Sequence, residues 1–330
     1  MVISQTPLRI SFFGGGTDFK DYYELHEGMV VSATIDKFIY IVVKPRCLDD
    51  DIVLNYNEYE RVQDVNEIKH DIFREVLKIT GVTKGIEITS IADVPLQGTG
   101  LASSSALTVG LLNALFAYKG IFLNPHELAE LACHVEIDLL GEPIGKQDQY
   151  AVAFGGLNSY LFKKDQSVEV KSLEIAQEGY RALAQHMHLF HTGIVRKAST
   201  VLSDQKSKIE RNNAYLGALK DIAERGREHL IKLDINKVGK LLQQSWEEKK
   251  KLSDKIHNQE INCIFDFAME AGAIGGKLLG AGAGGFFLFV CDPTKYRDLA
   301  FRLKDYQELS FTFEPQGSRI ILNTKMKYAS

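Results

Sequence analysis

The stretch from Pro95 to Ala106, which reads PLQGTGLASSSA, has the composition of a phosphate-binding loop. Gly98 and Gly100 lack a Cβ atom, so the backbone there allows a polyanion to come close. The apolar run from Leu107 to Phe116 predicts a helix whose first N–H groups point into the loop without partners. The positive end of the helix dipole favours phosphate, and a serine hydroxyl can cap the helix or reach a bound cation. A serine-capped helix after a flexible turn explains the same residues, so the loop alone leaves two interpretations.

A second glycine-rich stretch, Gly280 to Gly285, fits the G-x-G-x-x-G pattern of dinucleotide-binding loops. That pattern requires a strand before it and a helix after it, whereas the order predicted here is a helix over 261–273 and a strand over 286–290. A P-loop is excluded because Ala271 stands where its first glycine belongs and Leu278 stands where Ser or Thr would hold magnesium. The nine histidines are scattered, and none pairs with a cysteine at the spacing of zinc ligands.

The composition is that of an ordinary globular protein. A chain of 330 residues is long enough for two domains, and its 45% hydrophobic and 25% charged residues are typical of soluble proteins. A net charge of −4 argues against nucleic acid as the main partner. The sequence shows neither a signal peptide nor a bilayer-spanning stretch, so we expect a cytoplasmic protein without a membrane partner. Reduced thiols are expected of the four dispersed cysteines, Cys47, Cys133, Cys263 and Cys291.

The predicted elements divide the chain into a strand-rich first part and a helix-rich second part. Strands are predicted from β-branched and apolar runs over 29–35, 38–43, 85–89 and 186–195, the last of them a hinge between the halves. Charged amphipathic stretches predict surface helices over 203–233 and 235–251. The run Lys249-Lys250-Lys251 is interpreted as a solvated helix end.

A carboxylate is predicted on the apolar face of a helix that runs from Pro125 to Leu140. Asn124 suits the N-cap, Glu127 completes a capping box, and Gly141 provides the C-terminal stop. At helical spacing the neighbours of Glu136 are leucines and an alanine. A buried carboxylate is costly unless it is paired or bound to a metal. Glu136 is therefore either the partner of a core arginine or a metal ligand.

Three segments, in this order, resemble the motifs of the GHMP kinases, the small-molecule kinases named for galactose, homoserine, mevalonate and phosphomevalonate. They are PLRISFFGGGTDF at 7–19, PLQGTGLASSSA at 95–106 and KLLGAGAGGFFLF at 277–289. The resemblance implies an α+β fold with two domains and an active site in the cleft between them. Residues 1–185 would form a mixed sheet with helices, like the second domain of ribosomal protein S5. Residues 186–330 would form a ferredoxin-like α/β domain.

The resemblance also implies roles for individual residues. Ser104 and Glu136 would bind Mg²⁺, although Ser103 and Ser105 flank Ser104 closely. The segment GEPIGKQDQY at 141–150 would supply the catalytic carboxylate, Asp148, with Arg9 of the first motif as its basic partner. Asp148 would take the proton of the acceptor hydroxyl, or act mainly by charge and orientation. The residues that would bind ATP are Pro95, Gly98, Gly100, Leu101, Ala102, Ser103, Ser104 and Ser105.

The acceptor is indicated by departures from the galactokinase pattern. Where galactokinase-like relatives have Gly-Glu-His-Thr-Asp, this chain has GGGTD at 14–18, which keeps Thr17 and Asp18 for the sugar and opens the pocket. That form, together with TGIVRKAS at 192–199, resembles the branch of bacterial D-glycero-D-manno-heptose 7-phosphate kinases. Arg196 and Lys197 would then bind the 7-phosphate, with a solvated Arg-Lys pair as the alternative. Gly282 of the third motif would shape the floor near the substrate.

The implied activity is an ATP-dependent kinase for the anomeric hydroxyl of a heptose 7-phosphate, giving a 1,7-bisphosphate for nucleotide-activated heptose and surface polysaccharide. Three alternatives stay open: a 1-kinase for L-fucose or another free sugar, a mevalonate-pathway kinase, and a non-catalytic sensor of sugar and ATP. The form of the segment around Asp148 disfavours the second, and the presence of Arg9, Ser104, Glu136 and Asp148 argues against the third. A monomer and a homodimer are both compatible with the sequence.

Overall fold

The fold was analysed in a computed structural model, which describes residues 1–95, 98–195 and 198–324. The strands are β1 (Val2–Phe13), β2 (Gly28–Pro45), β3 (Ile52–Asn55), β4 (Tyr59–Val62), β5 (Ile86–Ala92), β6 (Leu157–Phe162), β7 (Val168–Ser172), β8 (Met187–His191), β9 (Ala273–Leu278), β10 (Phe286–Cys291), β11 (Gln307–Leu309) and β12 (Arg319–Asn323). The helices are α1 (Lys20–His26), α2 (Asp71–Thr80), α3 (Ser103–Tyr118), α4 (Pro125–Cys133), α5 (Gln147–Phe154), α6 (Gln177–His186), α7 (Ala198–Ser207), α8 (Asn213–Ile231), α9 (Ile235–Lys250), α10 (Gln259–Glu270) and α11 (Tyr296–Arg302). Separate sheets and helices of this kind make the α+β class that the sequence predicted.

The first sheet is built around one very long strand. Its hydrogen-bonded order is β12-β1-β2-β5-β3-β4, with β6 and β7 attached to the first half of β2. The pairing is mixed, because β3 runs parallel to β5 while the other pairs are antiparallel. The two strands predicted over 29–35 and 38–43 are in fact one strand, β2, with an irregularity in the register at residues 36–37. The strand continues because the shifted register preserves its pairing with β1 on both sides of that point.

Helix α3 packs against β1 and β2 and forms the centre of the core. Every residue of α3 is buried except Ser104, Phe116 and Tyr118. A helix that is apolar on all sides must lie inside the molecule. Its buried position also fixes the position of the second-motif loop that precedes it. Gly110 allows the close approach, because a Cβ atom there would lie 2.9 Å from the Thr6 hydroxyl oxygen.

The second sheet has the order β11-β8-β10-β9, and all its pairs are antiparallel. Its central strand β10 reads FFLFVC and is buried throughout, with α9 and α10 packed on β9. The helix predicted over 261–273 ends at Glu270, and residues 273–278 form β9, so the third motif lies between two strands. The predicted order of helix, loop and strand lacked one strand, β9, before the loop. This strand pairs with β10 and forms one side of a hairpin.

The predicted helix over 203–233 is interrupted between Ser207 and Asn213. The side chain of Asn212 donates a buried hydrogen bond of 2.8 Å to the carbonyl of Leu252, which holds the chain in a turn there. The capping box of Asn124 and Glu127 is confirmed. After Cys133 the helix continues as a π-helical segment, His134–Leu139.

The chain crosses between the two sheets more than once. The predicted boundary at residues 185 and 186 falls just before β8, the first strand of the second sheet. The last strand, β12, returns to the first sheet and pairs with β1. The division into residues 1–185 and 186–330 stays a prediction. None of the helices in the described ranges is both long and apolar enough to cross a bilayer.

Candidate active site

The loop of the second motif leads directly into helix α3. Gly98, Gly100 and Ala102 have φ angles of 72°, 73° and 67°, so the backbone turns sharply before Ser103. The N-cap of α3 is Ala102, and no side chain of the described residues caps the helix, so the serine-capped alternative is wrong. The N–H groups of the first turn lack intrahelical partners and lie at the positive end of a helix of 16 residues. This is the geometry that binds phosphate.

The loop of the third motif packs against that of the second. The N–H of Phe286 donates to the carbonyl of Thr99 at 3.1 Å. A Cβ atom on Gly100 would lie 2.8 Å from the carbonyl oxygen of Leu279, and one on Gly280 would lie 2.5 Å from the Cα of Gly100. Only glycine permits this close approach. The loops of the second and third motifs therefore form one continuous wall of the cleft.

Arg9 and Asp148 form a bidentate ion pair at the bottom of the cleft. Arg9 Nε donates to Asp148 Oδ1 at 2.8 Å, and Nη2 donates to Oδ2 at 2.7 Å. Arg9 is 2% exposed, whereas Asp148 keeps 28% of its side-chain surface open. Nη1 of Arg9 donates to the carbonyl of Gly100 at 2.7 Å, which ties the pair to the phosphate loop. The side-chain amide of Gln147, which the sequence analysis did not select, donates to Asp148 Oδ1 at 2.8 Å.

Glu136 is fully buried in the π-helical segment. Its carboxylate accepts hydrogen bonds from the hydroxyls of Ser104 and Ser105 and from the amide of Gln149. Burial raises the pKa of Glu136 to about 7, against the opposing effect of these three donors. No ion pair to Glu136 is formed within the ranges that the structure describes, so the alternative of a core arginine is not supported. The carbonyl oxygen of the Gln149 side chain is buried without a hydrogen-bond partner there.

The three serines of the second motif point in different directions. The hydroxyl of Ser103 lies 3.1 Å from that of Thr99. Ser104 and Ser105 both reach Glu136, but Ser105 is buried and Ser104 is exposed to the cleft.

Two adjoining cavities share Arg9, Asp148 and Gly280. The outer cavity, 410 Å³, is lined by the second and third motifs, including Ser104 and Gly282. The inner cavity, 80 Å³, is lined by residues of the first motif, including Asp18, and by two lysines. The Arg9–Asp148 pair thus lies where a larger and a smaller cavity meet.

Asp18 reaches the inner cavity and Thr17 does not. One Asp18 oxygen accepts the N–H of Gly16 at 2.9 Å and the other accepts that of Gln147 at 3.2 Å. Burial, with a contribution from the nearby Asp148, raises the pKa of Asp18. Thr17 is fully buried, and its hydroxyl bonds to the backbone of Gly14 and Met29. Its side chain holds the loop of the first motif in shape.

Lys249 and Lys277 are the two lysines of the inner cavity, and the sequence analysis assigned neither to the site. The interpretation of Lys249 as part of a solvated helix end was wrong, since it is 6% exposed. The helical period could have indicated its burial. Lys249 lies three residues after Trp246 and seven after Leu242, on the buried face of α9. Lys277 lies in β9 and is 3% exposed.

The structure therefore brings together most, but not all, of the predicted site. Arg9, Asp18 and Asp148 line the cleft with the second motif. Glu136 lines neither cavity and lies buried behind Ser104 and Ser105. Pro95 is exposed and lines neither cavity, and Leu101 is buried behind the loop, where its carbonyl accepts the N–H of Arg9. The predicted anion site at Arg196 and Lys197 lies outside the described residues.

Comparison with known proteins identifies the family of this chain. Residues 66–156 match the family profile described as GHMP kinases N terminal domain, and residues 227–307 match that described as GHMP kinases C terminal. The chain is 34% identical over 328 residues to D-glycero-alpha-D-manno-heptose 7-phosphate kinase of Campylobacter jejuni, covering 94% of this chain and 96% of that protein. It is 26% identical to bifunctional fucokinase/GDP-fucose pyrophosphorylase of Arabidopsis thaliana, over 92% of this chain and 31% of that protein.

A solved structure, that of a D-glycero-D-manno-heptose 1-phosphate kinase from Bacteroides thetaiotaomicron, superposes with a TM-score of 0.81. It is 27% identical and the match covers 98% of this chain and 99% of that one. With both family profiles, the shared fold and a near full-length relative in agreement, the chain belongs to the GHMP kinase family.

Proposed function

We propose that this ATP-dependent kinase phosphorylates the anomeric hydroxyl of D-glycero-D-manno-heptose 7-phosphate and releases the 1,7-bisphosphate. The observation that carries the proposal is the Arg9–Asp148 pair, held at the junction of the outer and inner cavities. The acceptor is suggested by the relative from Campylobacter jejuni, which is named for this sugar phosphate and matches nearly the whole chain. The product would feed the synthesis of nucleotide-activated heptose.

Asp148 would act on the acceptor hydroxyl. It is the one member of the ion pair with open surface toward the cleft, and three N–H bonds fix its position. A carboxylate placed there takes the hydroxyl proton as the oxygen attacks the γ-phosphorus, or orients the hydroxyl and stabilises its charge. Arg9 is buried and bonded to Gly100 of the phosphate loop, so its guanidinium can offset charge on the phosphoryl group during transfer.

The residues around Glu136 fit a magnesium site. Hard oxygen donors of the kind that Mg²⁺ prefers are supplied by the buried Glu136 carboxylate and the exposed Ser104 hydroxyl. Among the described residues no cation pairs with that carboxylate, and the Gln149 side-chain oxygen has no hydrogen-bond partner. We therefore assign Glu136 and Ser104 as the protein ligands. Bound Mg²⁺ would neutralise charge on the ATP phosphates.

A free-sugar 1-kinase is the second candidate, because the fucokinase relative from Arabidopsis thaliana also matches most of this chain. The two candidates share the donor, the metal and Asp148, and differ only in whether the acceptor already carries a phosphate.

The test is ADP release with Mg-ATP and five acceptors: heptose 7-phosphate, free heptose, L-fucose, galactose and mevalonate. Turnover with the 7-phosphate that is lost in Asp148→Asn would support the acceptor and the site together. Preference for L-fucose or free heptose would mean that the proposed acceptor is wrong and that the kinase activity is right. ATP binding without turnover of any acceptor would favour a sensor.

A further inference from the structure

Two buried ammonium groups, those of Lys249 and Lys277, line the inner cavity without carboxylate partners. Lys249 Nζ donates to the carbonyls of Leu278, at 3.3 Å, and Gly280. Lys277 Nζ donates to the carbonyl of Phe12 at 3.0 Å. Neither forms an ion pair with any residue in ranges 1–95, 98–195 and 198–324. Buried lysines in proteins are ordinarily paired, so this arrangement requires an explanation.

The hydrogen bonds of Lys249 and Lys277 do not use all of their N–H donors. An ammonium group has three N–H donors, so within the described part of the chain one N–H of Lys249 and two of Lys277 have no acceptor. Both side chains border the same cavity, which gives those donors a common space to point into. An unpaired buried charge is costly, and a ligand that pairs it recovers that cost on binding.

The charges around the inner cavity do not cancel. Arg9 is neutralised by Asp148, and Asp18 lies beyond ion-pair distance of both lysines, with its oxygens bonded to backbone N–H groups. Burial, with a contribution from Arg9, lowers the pKa of Lys249 to about 7 while Asp148 and Asp18 oppose the shift. Burial also lowers the pKa of Lys277, and the nearby Lys249 adds to the effect. Without an anion the charged form of each lysine is therefore disfavoured, and a bound anion would favour the protonated form.

We propose that Lys249 and Lys277 bind the phosphate that the acceptor sugar already carries, and that they set the preference for a phosphorylated over a free sugar. The inference rests on the proposed function, since it names the group that the acceptor presents to the inner cavity. A phosphate oxygen accepts the free N–H donors and supplies the missing negative charge in one step. Lys249 also bonds to Gly280, whose backbone touches Gly100 of the phosphate loop, so an anion here is placed on the acceptor side of that loop.

The test compares Lys249→Met and Lys277→Met with the control Lys251→Met. Lys251 follows the same helix, is 47% exposed and pairs with Glu248, so it carries a charge of the same kind outside the site. The readout is the ratio of kcat/KM for heptose 7-phosphate to kcat/KM for free heptose. We expect this ratio to fall by about 10- to 100-fold in each site variant, through KM for the phosphosugar, and to hold in the control. A general disturbance of the fold would lower both values and leave their ratio unchanged.

A second measurement needs no variant. Inorganic phosphate should inhibit the wild-type enzyme in competition with heptose 7-phosphate and not with ATP. This readout tests for an anion site on the acceptor side whether or not a methionine variant folds, and the variants assign that site to the two lysines. Competition with ATP alone would overturn the proposal.

Failure of the inference is distinguishable from failure of the proposed function. Suppose that the wild type prefers the 7-phosphate, that Arg196→Ala lowers the ratio, and that both methionine variants keep it. The phosphate site is then at Arg196 and Lys197, and the inference is wrong. If the wild type does not use the 7-phosphate at all, the proposed acceptor is wrong and this inference falls with it.

Discussion

At the scale of single residues, the site holds charges that the fold itself does not need. Glu136 is buried among three neutral donors, and two lysines are buried against carbonyls. Each of these groups costs stability in the free protein and becomes favourable when its ligand binds. The residues that carry function should therefore be recognisable by substitutions that stabilise the free protein.

Glu136→Gln should stabilise the ligand-free protein at pH 8 by on the order of 2 kcal/mol, and by much less at pH 5. The folded pKa of Glu136, about 7, lies above the usual value of an unfolded glutamate, so the folded state binds the extra proton. The stability of the wild type consequently falls as pH rises from about 4.5 to about 7, and the neutral glutamine does not share this loss. Urea unfolding at the two pH values, without Mg²⁺ or nucleotide, measures the difference. Equal effects at both pH values would contradict it.

Arg9→Met and Asp148→Asn should each lower kcat by about 10²- to 10³-fold, and the double variant should be little worse than the more severe single one. The two side chains share two hydrogen bonds and act as one unit, so removing either disables both. A double-mutant cycle on kcat provides the check. Additive effects in the free energy of activation would mean that the two residues act separately.

At the scale of elements, the second and third motifs act together because their loops touch backbone to backbone. Gly100 and Gly280 are the contact, and both have positive φ angles. The outer cavity thus depends on two glycines that are almost two hundred residues apart in the sequence, and neither carries a reactive group.

Gly100→Ala should reduce kcat/KM for ATP by about 10- to 100-fold, because its methyl group would push the two loops apart. Gly120→Ala is the matched control. Gly120 has a similar φ, 80° against 73°, but a Cβ atom there meets nothing within 4 Å. The control should lose about 1 kcal/mol of stability from backbone strain and keep its activity. Steady-state kinetics and urea unfolding of both variants separate the two effects; equal losses of activity would argue against a role for loop contact.

Much of the site was predictable from local sequence, and what escaped prediction depends on contacts made over long distances. The capping box of α4 and the burial of Glu136 were predicted from spacing alone, but the π-helical turn leaves Leu139, one of the expected apolar neighbours, 45% exposed. The Arg9–Asp148 pair followed from the family resemblance, since no local pattern connects the two residues. Lys249 was misjudged because a run of three lysines is usually solvated, although the helical period placed it beside Trp246. Lys277 and β9 were missed because pairing with β10 decides that segment.

At the scale of the whole molecule, the end of the described chain completes the sheet with which it begins. Beyond the pairing of β12 with β1, the N–H of Ser318 donates to the carbonyl of Val152 in α5, the helix that carries Asp148. The hydroxyl of Ser318 also lies 2.8 Å from that of Thr6. The C-terminal segment thus packs against α5 and holds it against the first sheet.

Ile320→Asp should lower the free energy of unfolding by about 1–3 kcal/mol, because Ile320 packs against the core from β12. Its neighbour Ile321 is 49% exposed, since alternate residues of a strand face opposite sides. Ile321→Asp is therefore the control and should change stability by less than about 0.5 kcal/mol. Urea denaturation followed by tryptophan fluorescence or circular dichroism provides the comparison. Similar losses in both variants would mean that β12 contributes through its backbone alone.

The return of β12 has a consequence for how the protein is made. Residues 2–5 of β1 pair on one side with residues 319–323, so during translation that edge stays open until those residues have been made. At about 5–20 residues per second, the wait is on the order of 15 to 60 seconds. An unpaired strand edge is a template for association with other nascent chains. The newborn chain thus presents an open edge of β1 to other nascent chains until β12 has been made.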